Sequence, residues 1–251
     1  MNLSELDLLE EKLLEKYRAH PFLVESDRIS SFELRKALVQ RRFLSTAFTP
    51  VFDTALDGMV SKQAIKVTRE LIREEYPERQ PSHRELLVND LQAIGISRVE
   101  VLSSKPSAAT QKIIESTFCL LYMDTDIELH EIKALSVVRL WGEVLVAEEY
   151  GLLRPALLGL GLTQENSQFY WPHFEHDIKN VSFAEGRSQG SHSDWLTVTL
   201  RELLNSPKKI RYAAKIEQEI FNIKYDFWNQ FMSAVEQLVP RELAFGSPRA
   251  L

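Results

Sequence analysis

The hydrophobic residues of this chain recur three and four positions apart along most of its length. That spacing puts them on one face of a helix and predicts amphipathic α-helices that bury this face. Pro172 lies inside one segment, where its ring is expected to kink or restart the helix. The pattern predicts helices over residues 3–18, 31–47, 49–76, 82–95, 107–123, 127–150, 164–182 and 207–238, with short helices after Pro155 and from Ser193 or Asp194 to Asn205.

Turn-forming residues are too few for a β-sheet protein. The chain has only 9 glycines, and most of its 10 prolines lie at the edges of helical segments. No linker divides the chain, so it is predicted to be one all-α domain over residues 1–251, a bundle of about seven or more helices around a single core. A polar insertion near residues 182–193 interrupts the helical period, and the C-terminal tail is expected to be frayed.

Composition narrows the class of protein further. The net charge of −6, from 30 basic and 36 acidic residues, argues against nucleic acid as a partner, because phosphate binding needs a basic face. The acidic N-terminus is unlike a signal peptide and no apolar run is long enough to cross a membrane, so a cytoplasmic protein without membrane association is predicted. The single cysteine excludes a disulfide framework and a thiolate zinc site within one chain.

The stretch FYWPHFEHDIKN, residues 169–180, mixes aromatic side chains with groups that can bind a metal. His173 and Asp177 are four residues apart and therefore share one face of a helix. His176 lies about 60° from His173 in projection. The aromatic neighbours indicate that this helix is buried around much of its circumference, which counts against an exposed polar patch. A histidine and a carboxylate that converge from one helix turn are typical of metal sites in helical bundles.

A second cluster lies at a helix junction. Glu74 and Glu75 end one predicted helix and His83 begins the next, with two prolines turning the chain between them. Glu75 and His83 are therefore expected to come close to each other across the junction.

A third cluster follows an apolar run. Glu148 and Glu149 come directly after residues 144–147, which indicate a buried helix face, and Glu143 precedes that run. A carboxylate at the end of a buried stretch needs a cation or a metal as its partner. Neighbouring residues on a helix diverge by about 100°, so only one member of each glutamate pair can point inward. We expect these to be Glu75 and Glu148.

Together the three clusters supply carboxylates and imidazoles, the ligands of two iron or manganese ions in helical bundles. The chain contains no Walker loop, no HExxH, no GxSxG and no dinucleotide-binding glycine fingerprint. A carboxylate- and histidine-bound two-metal site is thus the chemistry that the motifs favour.

The order of these motifs resembles the heme-oxygenase-like di-iron oxidases, in particular the group around the chlamydial death-domain-associated protein and its cyanobacterial relatives. The resemblance covers roughly residues 18–200. It implies a single heme-oxygenase-like helical domain. The motifs that carry it are His20-Pro21-Phe22, then Glu74-Glu75-Tyr76 with His83, Leu86 and Ile94-Gly95-Ile96, then Glu148, and finally Phe169 to His173 with Asp177.

The resemblance also implies a set of metal ligands. The family usually completes its set with a histidine three residues after the aspartate, where this chain has Asn180. His192 and His176 are the two possible substitutes, and His192 is preferred because the corresponding family segment tolerates breaks. The ligands carried over are Glu75, His83, Glu148, His173 and Asp177, completed by His192, with Glu74, Glu149 and His176 as second choices.

The function implied by the resemblance is that of a non-heme di-iron oxidase or oxygenase. Two Fe2+ ions, with Mn as the alternative metal, would use O2 to oxidise a small molecule such as an amino acid, an amine or a fatty acid in specialised metabolism. Arg73, Arg79 and Arg84 are candidates to anchor a substrate carboxylate. Two alternatives remain open: a metal-free protein of the thiaminase-II or quinone-cofactor type, and a binding protein with a degenerate metal site. A homodimer is possible.

Overall fold

A computed structural model describes residues 1–122, 124–185 and 190–238 of this chain. Within these ranges the regular structure is helical throughout, and no strand is present. The predicted tail falls largely outside the described residues, as do residues 186–189 of the predicted polar insertion. The α-helices are α1 (Leu3–Arg18), α2 (Pro21–Val24), α3 (Ser31–Asp57), α4 (Lys62–Glu75), α5 (His83–Ala93), α6 (Arg98–Ser103), α7 (Ala108–Leu120), α8 (Ile127–Ser136), α9 (Leu145–Gly159), α10 (Tyr170–Asp177), α11 (His192–Leu203), α12 (Pro207–Asn229) and α13 (Met232–Glu236).

A π-helical segment, Val137–Val144, joins α8 to α9 without a break. Every residue of this segment is buried, and it packs against α3, α8, α9, α11 and α12. Gly142 allows the close approach of α3, since a Cβ atom at this position would lie only 2.6 Å from Cζ of Phe52. π-Helical turns are rare and are frequently found at functional sites.

The boundary between α3 and α4 lies further along the chain than the sequence predicted. The sequence suggested a break near residue 48, but α3 continues through Pro50 and ends before Gly58. Proline has no N–H, so the carbonyl of Thr46 lacks its usual helical partner. Nη2 of Arg84 donates to this carbonyl at 2.7 Å, which satisfies the acceptor and keeps the helix continuous.

Helix α10 is shorter than predicted, covering Tyr170–Asp177 rather than residues 164–182. Upstream of it, the side chain of Asn166 accepts from the N–H of Thr163 and donates to the carbonyl of Gly161. Such local side-chain bonds compete with helix formation. Pro172 is the third residue of α10, within the first turn, where the missing N–H costs no helical bond.

The buried Asp90 of α5 fixes the start of α10. Its Oδ1 accepts from the N–H of Gln168 at 2.7 Å, and its Oδ2 accepts from the N–H groups of Phe169 and Tyr170 at 3.0 and 3.1 Å. The hydroxyl of Ser167 also donates to Oδ2, at 2.7 Å. A carboxylate that receives several N–H groups is strongly held, so α5 and α10 are fixed relative to each other.

A second buried carboxylate, Glu149, ties four helices together. It pairs with Arg41 of α3 and accepts from the hydroxyl of Tyr17 of α1 at 2.9 Å. Nζ of Lys224 on α12 lies 3.3 Å from its Oε2. All four side chains are buried, and burial lowers the pKa of Lys224 to about 7 in spite of the nearby carboxylate.

None of the helices in the described ranges is long and apolar enough to span a membrane.

The lowered pKa of Lys224 predicts a pH-dependent stability. In the unfolded chain Lys224 keeps its ordinary pKa of 10.5, so between about pH 7 and pH 10 the unfolded state binds more protons than the folded state. The contribution of Lys224 to the free energy of unfolding therefore rises with pH in this window, by at most about 1.4 kcal/mol per pH unit, and is lost below pH 7. Urea unfolding of the wild type and Lys224→Met should show the wild type gaining stability relative to the variant from pH 7 to pH 9.

The matched control for this experiment is Lys215→Met, which removes an exposed lysine from the same helix. Its difference from the wild type should not change with pH. A constant difference between Lys224→Met and the wild type across the window would show that Lys224 keeps its proton in the folded protein.

Candidate metal centre

A cavity of about 420 Å³ opens between α3, α4, α5, the π segment, α10 and α11. One wall is apolar and is formed by Phe48, Phe52, Leu71 and Leu86. The lining also contains most of the ionisable groups singled out from the sequence. These are Glu74, Glu75, His83, Glu143, His173, His176, Asp177 and His192.

The first group of possible metal ligands is Glu75, His83 and His173, whose donor atoms lie within 4.8 Å of one another. Glu75 is the last residue of α4 and His83 is the first residue of α5, as the sequence predicted. Oε1 of Glu75 lies 2.9 Å from Nδ1 of His83. His173 approaches from α10, and its ring centroid is 4.7 Å from that of His83.

His173 is oriented as a metal ligand would be. Its Nδ1 lies 2.8 Å from the carbonyl oxygen of Phe169, one turn earlier, and a carbonyl can only accept. The proton of the neutral ring therefore sits on Nδ1 and leaves the Nε2 lone pair free, an arrangement typical of metal-binding histidines. Burial and the neighbouring His83 lower the pKa of His173 to about 3, so the imidazole is neutral and able to coordinate at neutral pH.

The second group is Glu143, Asp177 and His192, again with donor atoms within 4.8 Å of one another. Glu143 lies in the π segment, Asp177 ends α10 and His192 begins α11. The two acids are only 5% and 2% exposed. Burial, together with the charge of Glu143, raises the pKa of Asp177 well above its ordinary value. Two adjacent buried carboxylates must share a proton or have a positive charge close to both of them.

In the protein alone, His192 supplies that charge. Its Nδ1 lies 3.3 Å from Asp177 and 3.6 Å from Glu143, and its Nε2 lies 3.0 Å from Glu74. Burial by itself would lower the pKa of His192, but the hydrogen bonds to these three carboxylates outweigh it and raise the pKa to about 12. The imidazolium of His192 therefore supplies the positive charge that a metal cation bound by the same carboxylates would otherwise provide.

Glu74 is placed to orient His192 rather than to bind a metal directly. It is 46% exposed, and its Oε2 accepts from Nε2 of His192. This bond leaves Nδ1 facing Asp177 and Glu143, so Nδ1 is the nitrogen available to a metal after it loses its proton. Carboxylates that hold the second nitrogen of a ligand histidine are common around protein metal sites.

The structure corrects the expected position of Glu148. Its carboxylate faces away from the cavity and forms two hydrogen bonds with Arg18, at 2.6 and 2.7 Å. Glu149, the second choice, is buried in the network with Arg41 and Lys224 and also lies outside the cavity lining. Glu143, five residues before Glu148, lines the cavity instead.

The signal for Glu143 was present in the sequence. It stands inside the apolar run from Leu140 to Val146, and an acid there is buried whichever way the helix turns. Glu148 and Glu149, the acids that follow this run, are both outside the cavity lining.

The remaining candidates lie at or beyond the edge of the cavity. His176 is exposed and lines the cavity, with its ring nearly parallel to that of His192 at 6.2 Å between centroids. It belongs to neither ligand group. Asn180 is exposed and outside the lining, and its backbone N–H donates to Oδ1 of Asp194. Of the two substitutes considered for Asn180, only His192 joins a ligand group.

The donors fit a pair of divalent metal ions. Each group contains at least one imidazole and one carboxylate, and both groups face the same cavity. Imidazole and carboxylate donors without thiolates suit iron or manganese. The groups are contributed by four helices and a π turn, as in carboxylate-bridged metal sites of helical bundles.

Comparison with solved structures identifies the fold. A domain of unknown function with a heme oxygenase-like fold from Shewanella denitrificans OS217 matches with a TM-score of 0.66 and 17% identity, over 100% of this chain and 98% of that one. A CADD-like protein of unknown function from Nostoc punctiforme PCC 73102 matches with a TM-score of 0.65 and 14% identity, over 92% and 99%. A TenA homolog from Pseudomonas syringae pv. tomato DC3000 matches with a TM-score of 0.64 and 10% identity, over 92% of each chain.

These similarities show that the chain is an all-α protein with a heme-oxygenase-like fold, and they confirm the fold that the motif resemblance implied. At these identities they establish the fold alone. No protein-family model matches the sequence, and no curated protein matches it either.

Replacing the two candidate glutamates separately tests the corrected ligand set. Glu143→Gln should lower the number of Mn2+ ions bound per chain from two to about one, because the second group loses one of its two buried carboxylates. Glu148→Gln should keep both ions, since Glu148 pairs with Arg18 outside the cavity. Equilibrium dialysis followed by metal quantification measures both variants. The reverse pattern, with loss of a bound Mn2+ ion in Glu148→Gln alone, would identify Glu148 as the ligand instead of Glu143.

The role of Glu74 is tested by Glu74→Gln. Loss of the carboxylate that orients His192 should lower the affinity for the second metal ion by roughly 10- to 100-fold, while both ions still bind at saturating metal concentration. Glu70→Gln, an exposed acid on the same helix, serves as the matched control. Mn2+ titration followed by electron paramagnetic resonance gives both affinities. If Glu74→Gln left the affinity for the second Mn2+ ion unchanged, His192 would not need its hydrogen bond to Glu74 to bind the metal.

Proposed function

We propose that this chain is a non-heme di-iron oxidase or oxygenase that uses O2 to oxidise a small substrate. The observation that carries the proposal is the convergence of two ligand groups on one cavity. Glu75, His83 and His173 would hold one ion. Glu143, Asp177 and His192 would hold the other. Manganese has the same ligand preferences and is the alternative metal.

Bound iron would supply the reaction with O2 and the oxidising power, which no side chain of the cavity provides. The chain's own residues hold and shape the site. Phe169 fixes the His173 tautomer through its carbonyl, and Glu74 fixes His192. Phe48, Phe52 and Leu71 form an apolar wall that excludes water from one side of the reacting groups.

The lining also favours one type of substrate over others. Neither lysine nor arginine is among the described residues that line the cavity. Arg84, one of the three arginines considered as carboxylate anchors, instead donates to the carbonyl of Thr46, and Arg73 and Arg79 are outside the lining. The described part of the lining therefore offers no lysine or arginine for the carboxylate of an amino acid or a fatty acid, so an amine with an apolar body is the favoured substrate of the three.

A second candidate is a metal-free protein that binds a small molecule in the same cavity. The observation in its favour is that His192 pairs with Glu74, Glu143 and Asp177 without any metal. TenA homologs also share the fold. In that case the cavity would take a cationic or aromatic ligand, and the protein would bind no iron.

Iron loading distinguishes the two candidates. Under anaerobic conditions the purified protein should bind about two Fe2+ per chain, and admission of O2 should then be followed by rapid O2 uptake measured with an oxygen electrode. His173→Ala should lose most of the first metal and the O2 uptake, because only two donors remain in that group. His176→Ala, on the same helix, should keep both ions.

Failure of the wild type to bind Fe2+ or Mn2+ at micromolar concentrations would refute the di-iron proposal and favour the metal-free candidate. Binding of two ions without any O2 uptake would leave a metal protein with a different reaction. Loss of iron in His176→Ala but not in His173→Ala would overturn the ligand assignment on α10.

A further inference from the structure

A second cavity lies outside the candidate metal centre, between α9, the end of α1 and α10. This α9–α10 groove has a volume of about 500 Å³, a common size for a small-molecule site. Its side chains combine cations with apolar surface. It is lined by Arg18, Ala147, Glu148, Gly151, Leu152, Arg154, Pro155, Leu158, Phe174, Ile178 and Lys179.

Arg154 is the notable charge in the α9–α10 groove. Its guanidinium carbon lies 4.5 Å from the centre of the Phe174 ring and 5.8 Å from that of Trp171. No acid among the described residues pairs with it, and its buried Nε has no hydrogen-bond partner there. A guanidinium that is stacked on an aromatic ring and lacks an anion presents its remaining donors to a ligand.

The other charged groups of the groove already have partners. Arg18 is bound by both oxygens of Glu148 and also pairs with Glu11. Lys179 pairs with the buried Glu10. The groove thus holds three cations and one acid in a chain whose net charge is −6, and Arg154 is the cation left for an incoming anion.

Two residues of α9 affect its backbone beside Arg154. Pro155 has no N–H, so the carbonyl of Gly151 lacks its usual helical partner. Gly151 itself lets α10 approach, because a Cβ atom there would lie 2.9 Å from Cε2 of Phe174. Leu158, which is 51% exposed, extends the apolar surface toward solvent.

We propose that the α9–α10 groove binds a small amphiphilic carboxylate, with its head group on Arg154 and its apolar part along Leu152, Leu158 and Phe174. A planar carboxylate matches the donor fork of arginine, and the aromatic and aliphatic walls match a short hydrocarbon chain. The site is independent of the proposed oxidase function. Phe174 faces the groove while His173, its neighbour on α10, faces the metal cavity.

Isothermal titration calorimetry with octanoate tests the site. The full-length protein should bind octanoate, and Arg154→Gln should weaken binding by about tenfold or more through loss of a charge-assisted pair. Arg154→Lys should recover part of the affinity. Arg211→Gln removes an exposed arginine from α12 and is the matched control, with binding equal to that of the wild type. 1-Octanol, which has no charge, should bind at least tenfold more weakly than octanoate.

Two further comparisons locate the ligand. Leu158→Ser, at an exposed position, should weaken octanoate binding without affecting folding, and His173→Ala should leave it unchanged because His173 lies in the other cavity. Loss of octanoate binding in His173→Ala with full binding in Arg154→Gln would place the ligand in the metal cavity and overturn the proposal. Equal affinity for 1-octanol and octanoate, or no binding at millimolar concentration, would also overturn it.

Discussion

The burial of Glu143 beside Asp177 is the constraint on which the arrangement of the site depends. Each buried carboxylate carries a desolvation cost, and their mutual repulsion adds to it unless a cation lies between them. His192 meets this need in the protein alone. The start of α11 must therefore stay against the end of α10, and the structure secures this contact twice. The hydroxyl of Ser193 donates to the carbonyl of Asp177 at 2.5 Å, and Asp194 accepts from the N–H of Asn180 at 2.9 Å.

The other half of the site depends on a different carboxylate. Asp90 receives the N–H groups at the start of α10 and so fixes that helix against α5. Since His83 begins α5 and His173 lies in α10, one buried acid sets the relative positions of two of the three side chains in the first ligand group. Short helices such as α10 are marginal on their own, and this anchoring gives the ligands a rigid support.

Sequence patterns were sufficient to predict those features of the site that depend only on residues close together in the sequence. At the α4–α5 junction, the two prolines after Glu75 predicted that Glu75 and His83 come close to each other, and a capping pair of Ser82 and Glu85 begins α5 in the structure. Spacing of four residues put His173 and Asp177 on the same side of α10. These features follow from helix geometry and capping, which a few neighbouring residues determine.

Features that depend on tertiary packing were harder to predict. The π segment reflects how Val137–Val144 packs against five helices, and without it the register of Glu143 and Glu148 could not be assigned. Helix α3 continues through Pro50, and the carbonyl of Thr46 that this proline leaves free accepts from Arg84, which is distant in sequence. The family resemblance pointed to Glu148, whose carboxylate pairs with Arg18, whereas Glu143, five residues earlier, lines the cavity.

Anomalous diffraction from crystals soaked with Mn2+ tests the two-metal site most directly. Two strong peaks are expected in the cavity, one among Glu75, His83 and His173 and the other among Glu143, Asp177 and His192, with His192 turned from an imidazolium bridge into a ligand. Crystals that show no anomalous peak in this cavity, or a peak bound by Glu148 in place of Glu143, would contradict the proposed metal centre.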